Sequence, residues 1–367
     1  MEDSEIYIGL MSGTSVDSVD AVALNFTKDK TLCLGSASLE IETELRDDIG
    51  ALCYPGFNEI ERSQRVANQI AILYAQTVSV LLKKLQLSAS DIRALGAHGQ
   101  TVRHCPDAGA TTQLINGALL AELTQIDTIT DFRNRDIAAG GQGAPLVPLF
   151  HRQWFQADKS RAVLNIGGIS NLTILPAKSS CVDILGFDCG PGNTLMDNWI
   201  ELHLGKRFDQ NSEWASQGKV LPYLLQKLLE EPYFSKAIPK STGRELFNLS
   251  WLKKQIKGTE KPEDIQRTLL ELTAQVIAVS LKHWAPDVCE LFICGGGAEN
   301  PLLVERIARL VHPVSVNKTD ALGLTTKDIE GAAFAWLAKC YVHRIFGNAP
   351  SVTGASGGRV LGCLYPA

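Results

Sequence analysis

Residues 5–27 read EIYIGLMSGTSVDSVDAVALNFT, with two mostly apolar segments on either side of a polar one. The apolar segments predict strands at 5–11 and 19–27, and SGTSVDS between them predicts a tight connection. A third strand is expected at 31–39. A connection built from Ser, Gly and Thr can present backbone N–H groups and hydroxyls to a phosphate; a plain hairpin turn is the alternative. No Gly-Lys-Ser or Gly-Lys-Thr follows, so the segment is not a Walker loop.

The rest of the chain alternates predicted strands with predicted helices, which indicates an α/β protein. Apolar residues spaced three and four apart predict long helices at 58–85 and 264–284. Short apolar segments predict strands at 162–166, 171–175, 182–187 and 288–294. The second strand–turn–strand segment has the turn NIGGISN. Its similarity to the first is compatible with two similarly folded domains.

Length and composition describe a two-domain globular enzyme. The 367 residues exceed the usual size of a single core. We expect a first domain at 1–130 plus about 345–367, and a second at 131–344. A net charge of −5 does not indicate a nucleic-acid or membrane surface. Nine cysteines without a C-x-x-C pair, and a start without a basic and apolar leader, predict a cytoplasmic protein with reduced thiols.

Two glycine-rich turns are candidates for nucleotide binding. Gly167 and Gly168 lie in the second hairpin connection, where they form either a second phosphate-facing turn or an ordinary β-turn. Residues 295–297 are three glycines between a predicted strand and a helix that opens at Asn300. They allow a flat ring to approach the backbone, and close packing of the helix on the sheet explains them equally well.

Asp188 is the candidate general base. It is expected directly after the strand at 182–187, within GFDCGPGN and before a helix that begins near residue 193. Ligands of open α/β sheets bind beyond the carboxyl ends of the strands. A turn or N-cap aspartate is the alternative.

Two polar segments are candidates for substrate contacts. DFRNRDIAAGGQGAPL at 131–146 contains arginines that can orient an anionic or hydroxyl-rich substrate; a surface ion-pair cluster is the alternative. AHGQT at 97–101 offers an amide and a hydroxyl that suit a sugar, and a structural histidine is equally compatible with it. The segment STGRE at 241–245 can hold a substrate group, although a helix cap explains it more simply.

Seven segments together resemble the motif series of the anhydro-N-acetylmuramic acid kinase family. In chain order they are IGLMSGTSVDSVD, GAHGQTVRH, DFRNRDIAAGGQGAPLVPLFH, LNIGGISNLT, GFDCGPGNTLMD, KSTGRELF and FICGGGAENP. The similarity extends over about residues 7–340, and DIAAGGQGAPL and GFDCGPGN are its most specific parts.

The resemblance implies two ribonuclease-H-like domains of the actin/Hsp70/sugar kinase type with an interdomain cleft. It implies ATP and Mg²⁺, with the metal held through the ATP phosphates and its protein ligands left open. The implied reaction opens 1,6-anhydro-N-acetylmuramic acid with water and phosphorylates O6, in peptidoglycan recycling. Small molecules are the expected partners, without nucleic acid or membrane, and a homodimer is left open.

The resemblance also assigns roles to residues. Asp188 matches the catalytic base, and Arg135 matches an arginine beside the substrate. The predicted substrate residues are His98, Gln100, Gln142, Asn193 and Glu330. The predicted ATP-binding residues are Ser12, Gly13, Thr14, Ser15, Val16, Asp17, Ser18, Val19, Asp20, Gly167, Gly168, Asn171, Gly295, Gly296, Gly297 and Asn300.

Some features leave alternatives open. The family usually has glycine where Ser18 stands, and serine fits there if its φ is negative. A kinase of the same fold that acts on a free amino-sugar hydroxyl is the alternative enzyme. An inactive nucleotide- or sugar-binding regulator is the alternative from another class. A dinucleotide-binding oxidoreductase is disfavoured because no G-x-G-x-x-G follows an early strand.

Overall fold

A computed structural model describes residues 4–13, 16–28, 30–243 and 246–367. Thr14 and Ser15, two of the predicted ATP-binding residues, lie outside the described residues. The chain divides into two compact units. The first consists of Met1–Trp154 with Asp328–Ala367, and the second is Phe155–Lys327.

The first unit contains a six-stranded sheet and a separate hairpin. Its strands are β1 (Glu5–Ser12), β2 (Ser18–Phe26), β3 (Thr31–Glu40), β4 (Ile92–Ala97), β5 (Gln100–Cys105), β6 (Ala110–Leu114), β7 (Thr128–Thr130) and β13 (Cys363–Tyr365). Its helices are α1 (Thr43–Leu52), α2 (Glu59–Leu85), α3 (Gly117–Thr124), α4 (Asn134–Ile137), α5 (Val147–Phe155), α11 (Ile329–Val342) and α12 (Pro350–Thr353). The sheet order is β13-β7-β4-β1-β2-β3, and β5 pairs with β6.

The two faces of this sheet carry different helices. Ile8 and Leu10 on β1 pack into one core with α2. Side chains alternate along a strand, so Gly9 between them faces the other way, toward α11. A Cβ at Gly9 would lie 1.8 Å from the Gly331 carbonyl oxygen of α11. Glycine at this position therefore lets the helix backbone rest directly on the sheet.

The second unit contains a five-stranded sheet. Its strands are β8 (Arg161–Ile166), β9 (Ile169–Leu175), β10 (Leu185–Pro191), β11 (Glu290–Cys294) and β12 (Ser315–Lys318). Its helices are α6 (Thr194–Leu204), α7 (Pro222–Leu229), α8 (Leu249–Lys253), α9 (Pro262–Trp284) and α10 (Pro301–Val311). The order is β10-β9-β8-β11-β12.

Both sheets repeat one topology. Three consecutive antiparallel strands, β1–β3 or β8–β10, form one side of the sheet. The next strands, β4 and β7 or β11 and β12, are parallel to the first strand of the set. This is the arrangement of a ribonuclease-H-like sheet. The similarity between the two strand–turn–strand segments therefore reflects a repeated fold.

Most predicted elements appear close to their expected positions, and β10 does not. The strand expected at 182–187 begins at Leu185 and continues to Pro191. Asp188 therefore lies inside a strand instead of following its end, which corrects the sequence-based expectation. The compact units also divide elsewhere than at the expected boundaries of 130/131 and 344/345, because 131–154 and α11 belong to the first unit.

Candidate active site

In the second unit, three polar side chains lie side by side across neighbouring strands. Asp188 on β10 is opposite Asn171 on β9, and Asn171 is opposite Asn165 on β8. Directly opposed residues of an antiparallel pair point to the same face. The pairing register shifts between Asp188 and Gly190, and such irregularities re-aim side chains beside functional sites. We call Asp188, Asn171 and Asn165 the polar row.

The segment before α8 contacts both the backbone and the side chain of Asp188. The Thr242 amide donates a hydrogen bond to Asp188 Oδ2 at 3.0 Å. The Asp188 amide donates to the Lys240 carbonyl at 3.2 Å, and the Tyr233 hydroxyl donates to the Asp188 carbonyl at 2.9 Å. The N-cap of α6 is Asn193, so Asp188 is not a helix cap. Its half-buried carboxylate is fixed in direction.

The glycine turn between β8 and β9 packs against the start of α6. The amides of Gly192 and Asn193 donate to the carbonyls of Gly168 and Gly167 at 2.9 and 2.8 Å. A Cβ added at Gly167 would meet nothing closer than 3.6 Å. Packing alone therefore does not require glycine at position 167. The space that its hydrogen leaves is open to a ligand.

Close packing explains two of the three glycines after β11 but not the third. A Cβ at Gly295 would lie 2.3 Å from Asn165 Oδ1, and one at Gly297 would lie 2.3 Å from a side-chain carbon of β8. These two glycines allow close packing. At Gly296 the nearest atom, Asn193 Nδ2, is 3.8 Å from an added Cβ. Close packing therefore does not explain the glycine at position 296, and the space beside it is available to a ligand. Asn193 lies next to this space.

Asn300 has a structural role. Its Oδ1 accepts a hydrogen bond from the Leu303 amide at 2.9 Å and caps α10. Ser212 also donates its hydroxyl to the same oxygen. This side-chain oxygen is already used within the protein, so any contact of Asn300 with a nucleotide would involve its other atoms.

In the first unit, the described residues on either side of Thr14 and Ser15 make several hydrogen bonds. Ser12 is 2% exposed, and its hydroxyl lies 2.9 Å from the Tyr74 hydroxyl. Val16 has a φ of 54°, and its carbonyl accepts from Arg46 Nε at 2.7 Å. Ser18 does not have a positive φ, so the serine that replaces the usual glycine fits without strain. The positive φ falls on Val16 instead.

The other predicted ATP-binding residues near this connection differ in how exposed their side chains are. Val19 is 1% exposed and belongs to the core. Asp17 is exposed, and its Oδ1 accepts from the Ser18 amide at 3.0 Å. Burial raises the pKa of Asp20, and the nearby carboxylates of Asp17 and Asp328 raise it further. A side-chain contact with a ligand is thus open to Asp17 and Asp20 but not to Val19.

Gln100 and His98 lie next to this connection. Gln100 Nε2 donates to the Gly13 carbonyl at 3.3 Å. Arg133 Nε donates to His98 Nε2 at 3.0 Å. Burial and the guanidinium hold the pKa of His98 well below its usual value, so the imidazole is neutral. Burial also lowers the pKa of Arg133 to about 10, against the opposing charge of Glu330.

Arg133, which the sequence analysis had not selected, thus contacts His98 and feels the charge of Glu330, while Gln100 separately contacts Gly13. Arg135, the predicted arginine, is exposed on α4, and its role stays a prediction. Gln142 is half-buried, and its backbone N–H donates to the Thr353 carbonyl at 2.8 Å.

Sequence reasoning also missed Asn165 and Lys240. Asn165 lies inside the quoted LNIGGISNLT, two residues before Gly167, and a strand-end amide beside a glycine turn was the available signal. Lys240 begins KSTGRELF, which was interpreted as a helix junction. Nothing local in the sequence indicates that this segment reaches Asp188, because the contact joins residues far apart in the chain.

The repeated topology, with a glycine-containing hairpin connection in each unit, defines a protein of the actin/Hsp70/sugar kinase class. A family model described as anhydro-N-acetylmuramic acid kinase matches residues 5–367. The chain belongs to this family.

Named relatives match over nearly their whole length. The anhydro-N-acetylmuramic acid kinase of Variovorax paradoxus (strain S110) is 50% identical over 372 residues, which cover 99% of this chain and 99% of the relative. The protein of the same name from Nitrosomonas europaea is 48% identical over 364 residues, with 98% and 99% covered.

Solved structures show more distant similarity. The activator of the 2-hydroxyisocaproyl-CoA dehydratase from Clostridium difficile matches with a TM-score of 0.47 and 15% identity, over 92% of this chain and 97% of that chain. A ROK family glucokinase from Streptomyces griseus matches with a TM-score of 0.39 and 11% identity, over 91% and 99%. With TM-scores below 0.5, these likenesses support no inference about this chain.

Two further properties concern the described ranges alone. Within them, no helix is both long and apolar enough to span a bilayer. The same ranges contain no group of three or more His, Cys, Asp or Glu side chains that could hold a metal ion.

Proposed function

We propose that this chain is an ATP-dependent kinase that opens 1,6-anhydro-N-acetylmuramic acid with water and phosphorylates O6. The products are N-acetylmuramic acid 6-phosphate and ADP, and the reaction belongs to peptidoglycan recycling. Family membership supports the reaction. The observation that carries the mechanism is the half-buried Asp188, whose carboxylate is aimed by the Thr242 amide.

The anhydro sugar has no free 6-hydroxyl, because O6 is bonded to C1. In the proposed mechanism, Asp188 accepts a proton from water while the water oxygen attacks C1. The C1–O6 bond breaks, and the electron pair on O6 attacks the γ-phosphorus as ADP leaves. The carboxylate of an aspartate is a suitable general base for this proton. Attack of water opposite the leaving oxygen corresponds to inverting glycoside hydrolysis.

The second unit offers a suitable environment for the nucleotide. Gly167 and Gly296 leave space that packing does not require, and Asn171 and Asn165 provide amide groups next to Asp188. Backbone and amide donors position phosphate oxygens without a protein nucleophile. Magnesium usually binds through a few carboxylates together with substrate phosphates, where it neutralises charge on the transferred group. We propose that the metal is held through the ATP phosphates.

Arg133, His98, Gln100 and Glu330 form the proposed substrate side in the first unit. Arg133 already donates to a neutral His98 and to the Gly143 carbonyl. We propose that its remaining donors bind the hydroxyl or carboxylate groups of a muramyl sugar. The predicted roles of Arg135 and Gln142 stay predictions. The homodimer and the cytoplasmic location also stay predictions.

Replacement of Asp188 tests the proposal. Asp188→Asn should keep the fold and ATP binding, because the amide preserves shape, and should lower turnover by about two or more orders of magnitude. ADP release and sugar 6-phosphate formation are measured with the anhydro sugar and, separately, with free N-acetylmuramic acid. Asp183→Asn is the matched control, since Asp183 is exposed just before β10.

Three results would count against the proposal. Near-normal turnover in Asp188→Asn would show that Asp188 is not the general base. A similar loss in Asp183→Asn would show that the effect is not specific. If the wild type prefers free N-acetylmuramic acid, the reaction is the phosphorylation of a free hydroxyl and not the opening of the anhydro ring.

A further inference from the structure

The second unit has a cleft formed by helices α7, α9 and α10. Its volume is about 690 Å³, which is within the range of small-molecule sites. None of its lining residues belongs to the predicted nucleotide or sugar site. Val220 and the α7 residues Pro222, Leu225 and Leu229 give it an apolar wall. The cleft is therefore large enough, and apolar enough, to hold a ligand with a hydrocarbon part.

The charged residues of the cleft leave one positive charge unbalanced. Three arginines and two glutamates line it: Arg267, Arg306, Arg309, Glu230 and Glu271. A concave surface with an excess of one sign of charge attracts ligands of the opposite sign. The lining therefore suits a ligand with a single negative charge.

Glu271 is already paired with Arg306. This carboxylate is 3% exposed, and it accepts hydrogen bonds from Arg306 Nε at 2.7 Å and Nη2 at 2.9 Å. Gln275 Nε2 donates to it at 2.7 Å. Burial by itself would raise the pKa of Glu271, but these hydrogen bonds and the charges of Arg306 and Arg267 outweigh burial and lower it. Glu271 and Arg306 thus form an ion pair that is complete within the protein.

Arg267 is the arginine of the cleft that lacks an acceptor. It precedes Glu271 by four residues on α9, so the two side chains lie on the same face of the helix. Arg309, in contrast, donates to Glu305 on its own helix. Nη1 of Arg267 is buried and has no hydrogen-bond partner among the residues that the structure describes. A buried donor without an acceptor is costly, and a ligand carboxylate would supply one, because guanidinium groups bind carboxylates through two parallel hydrogen bonds.

We propose that the cleft between α7, α9 and α10 is a binding site for a small monocarboxylate that carries an apolar chain or ring. Arg267 binds the carboxylate, and the α7 wall covers the apolar part. The fixed negative charge of Glu271 disfavours ligands with two negative charges. This site is separate from the proposed kinase reaction and does not depend on it.

Isothermal titration calorimetry of the full chain with three probes tests the proposal. Octanoate has a carboxylate and an apolar chain, 1-octanol has the chain without the charge, and acetate has the charge without the chain. We expect octanoate to bind the wild type about tenfold or more tightly than either of the others, because only octanoate uses both parts of the cleft.

Two variants assign the binding to Arg267. Arg267→Gln should weaken octanoate binding by about tenfold or more, because a charge-assisted hydrogen bond is lost. Arg207→Gln is the matched control: it removes an exposed guanidinium from the same unit and should leave the affinity unchanged. In nitrogen-15 NMR of the wild type, octanoate should shift the Arg267 Nε signal, which is identified by its loss in Arg267→Gln.

Several results would overturn the inference. They are the absence of octanoate binding to the wild type, equal affinity for 1-octanol, and an equal loss of affinity in Arg267→Gln and Arg207→Gln. Displacement of octanoate by ADP would also overturn it, since the probe would then occupy the proposed nucleotide site. The three-probe comparison uses the wild type alone, so it decides the question even if Arg267→Gln does not fold.

Discussion

One buried carboxylate determines how the 131–146 segment is held. Asp136 has no exposed surface. It accepts hydrogen bonds from Asn348 Nδ2 at 2.6 Å, from Thr353 Oγ1 at 2.8 Å and from the Gly143 amide at 2.8 Å. The sequence offered a surface ion-pair cluster as one interpretation of these acids and arginines. Asp136 instead anchors the segment to the C-terminal part of the chain through neutral donors.

Asp136→Asn should therefore destabilise the first unit. In asparagine an NH₂ group replaces one of the two carboxylate oxygens, so it would face a hydrogen-bond donor instead of accepting from it. A buried polar group that loses its partner in this way is costly. We expect the free energy of unfolding to fall by about 3 kcal/mol, measured by urea unfolding. Asp131→Asn is the control: Asp131 is exposed in the same segment, and its replacement should change stability by under about 0.5 kcal/mol. Equal effects would contradict the anchoring role.

At the scale of elements, the spacing of apolar residues predicted those helices and strands that depend mainly on their own local sequence. The long apolar repeats gave α2 and α9, and the apolar segments gave β1, β2 and β11, within a few residues. The end of β10 was missed because Cys-Gly-Pro suggests a turn, whereas pairing with β9 continues the strand.

Helix α11 shows a second limit of sequence reasoning. Most of its residues are buried on all sides, so the sequence has no polar face from which to deduce its neighbour. It was expected in the second domain and belongs to the first unit. The motif residues were found from the sequence alone. Partners far along the chain, such as Lys240 and Thr242, were not.

The contact of α11 with β1 gives a prediction at this scale. Gly9→Ala places a Cβ 1.8 Å from the Gly331 carbonyl oxygen, so the helix must move away from the sheet. We expect a loss of about 3 kcal/mol from overpacking, measured by chemical unfolding. Gly50→Ala is the control, because a Cβ there meets nothing within 4 Å in α1. That substitution should add about 0.5–1 kcal/mol of stability.

The whole molecule consists of one topology used twice with different chemistry. Each first hairpin supplies a glycine-containing connection, in SGTS and in IGGIS. The third strands differ: β10 carries Asp188, and the corresponding part of β3 carries serines. Duplication of the fold therefore explains why each unit has a glycine-containing turn. The proposed base, Asp188, lies in the second unit, as does the segment before α8 that contains Lys240.

The boundaries of the units lead to the last prediction. The second unit has its own apolar core, built from its sheet with α6, α7, α9 and α10. A fragment of residues 155–327 should thus fold alone and unfold cooperatively on heating. A fragment of residues 131–344 should aggregate, because it carries α11 without the β1 and β4 surface that covers this helix. Buried Phe334 and Trp336 would then face water.

Size-exclusion chromatography and thermal unfolding of the two fragments distinguish the alternatives. A monomeric 155–327 fragment together with an aggregated 131–344 fragment supports the division at Trp154 and Lys327. The opposite result would support the boundaries expected from the sequence. Neither fragment should show kinase activity, since each lacks the Gly13 connection and the Gln100 that contacts it. Activity in either would mean that the first unit is dispensable for phosphoryl transfer.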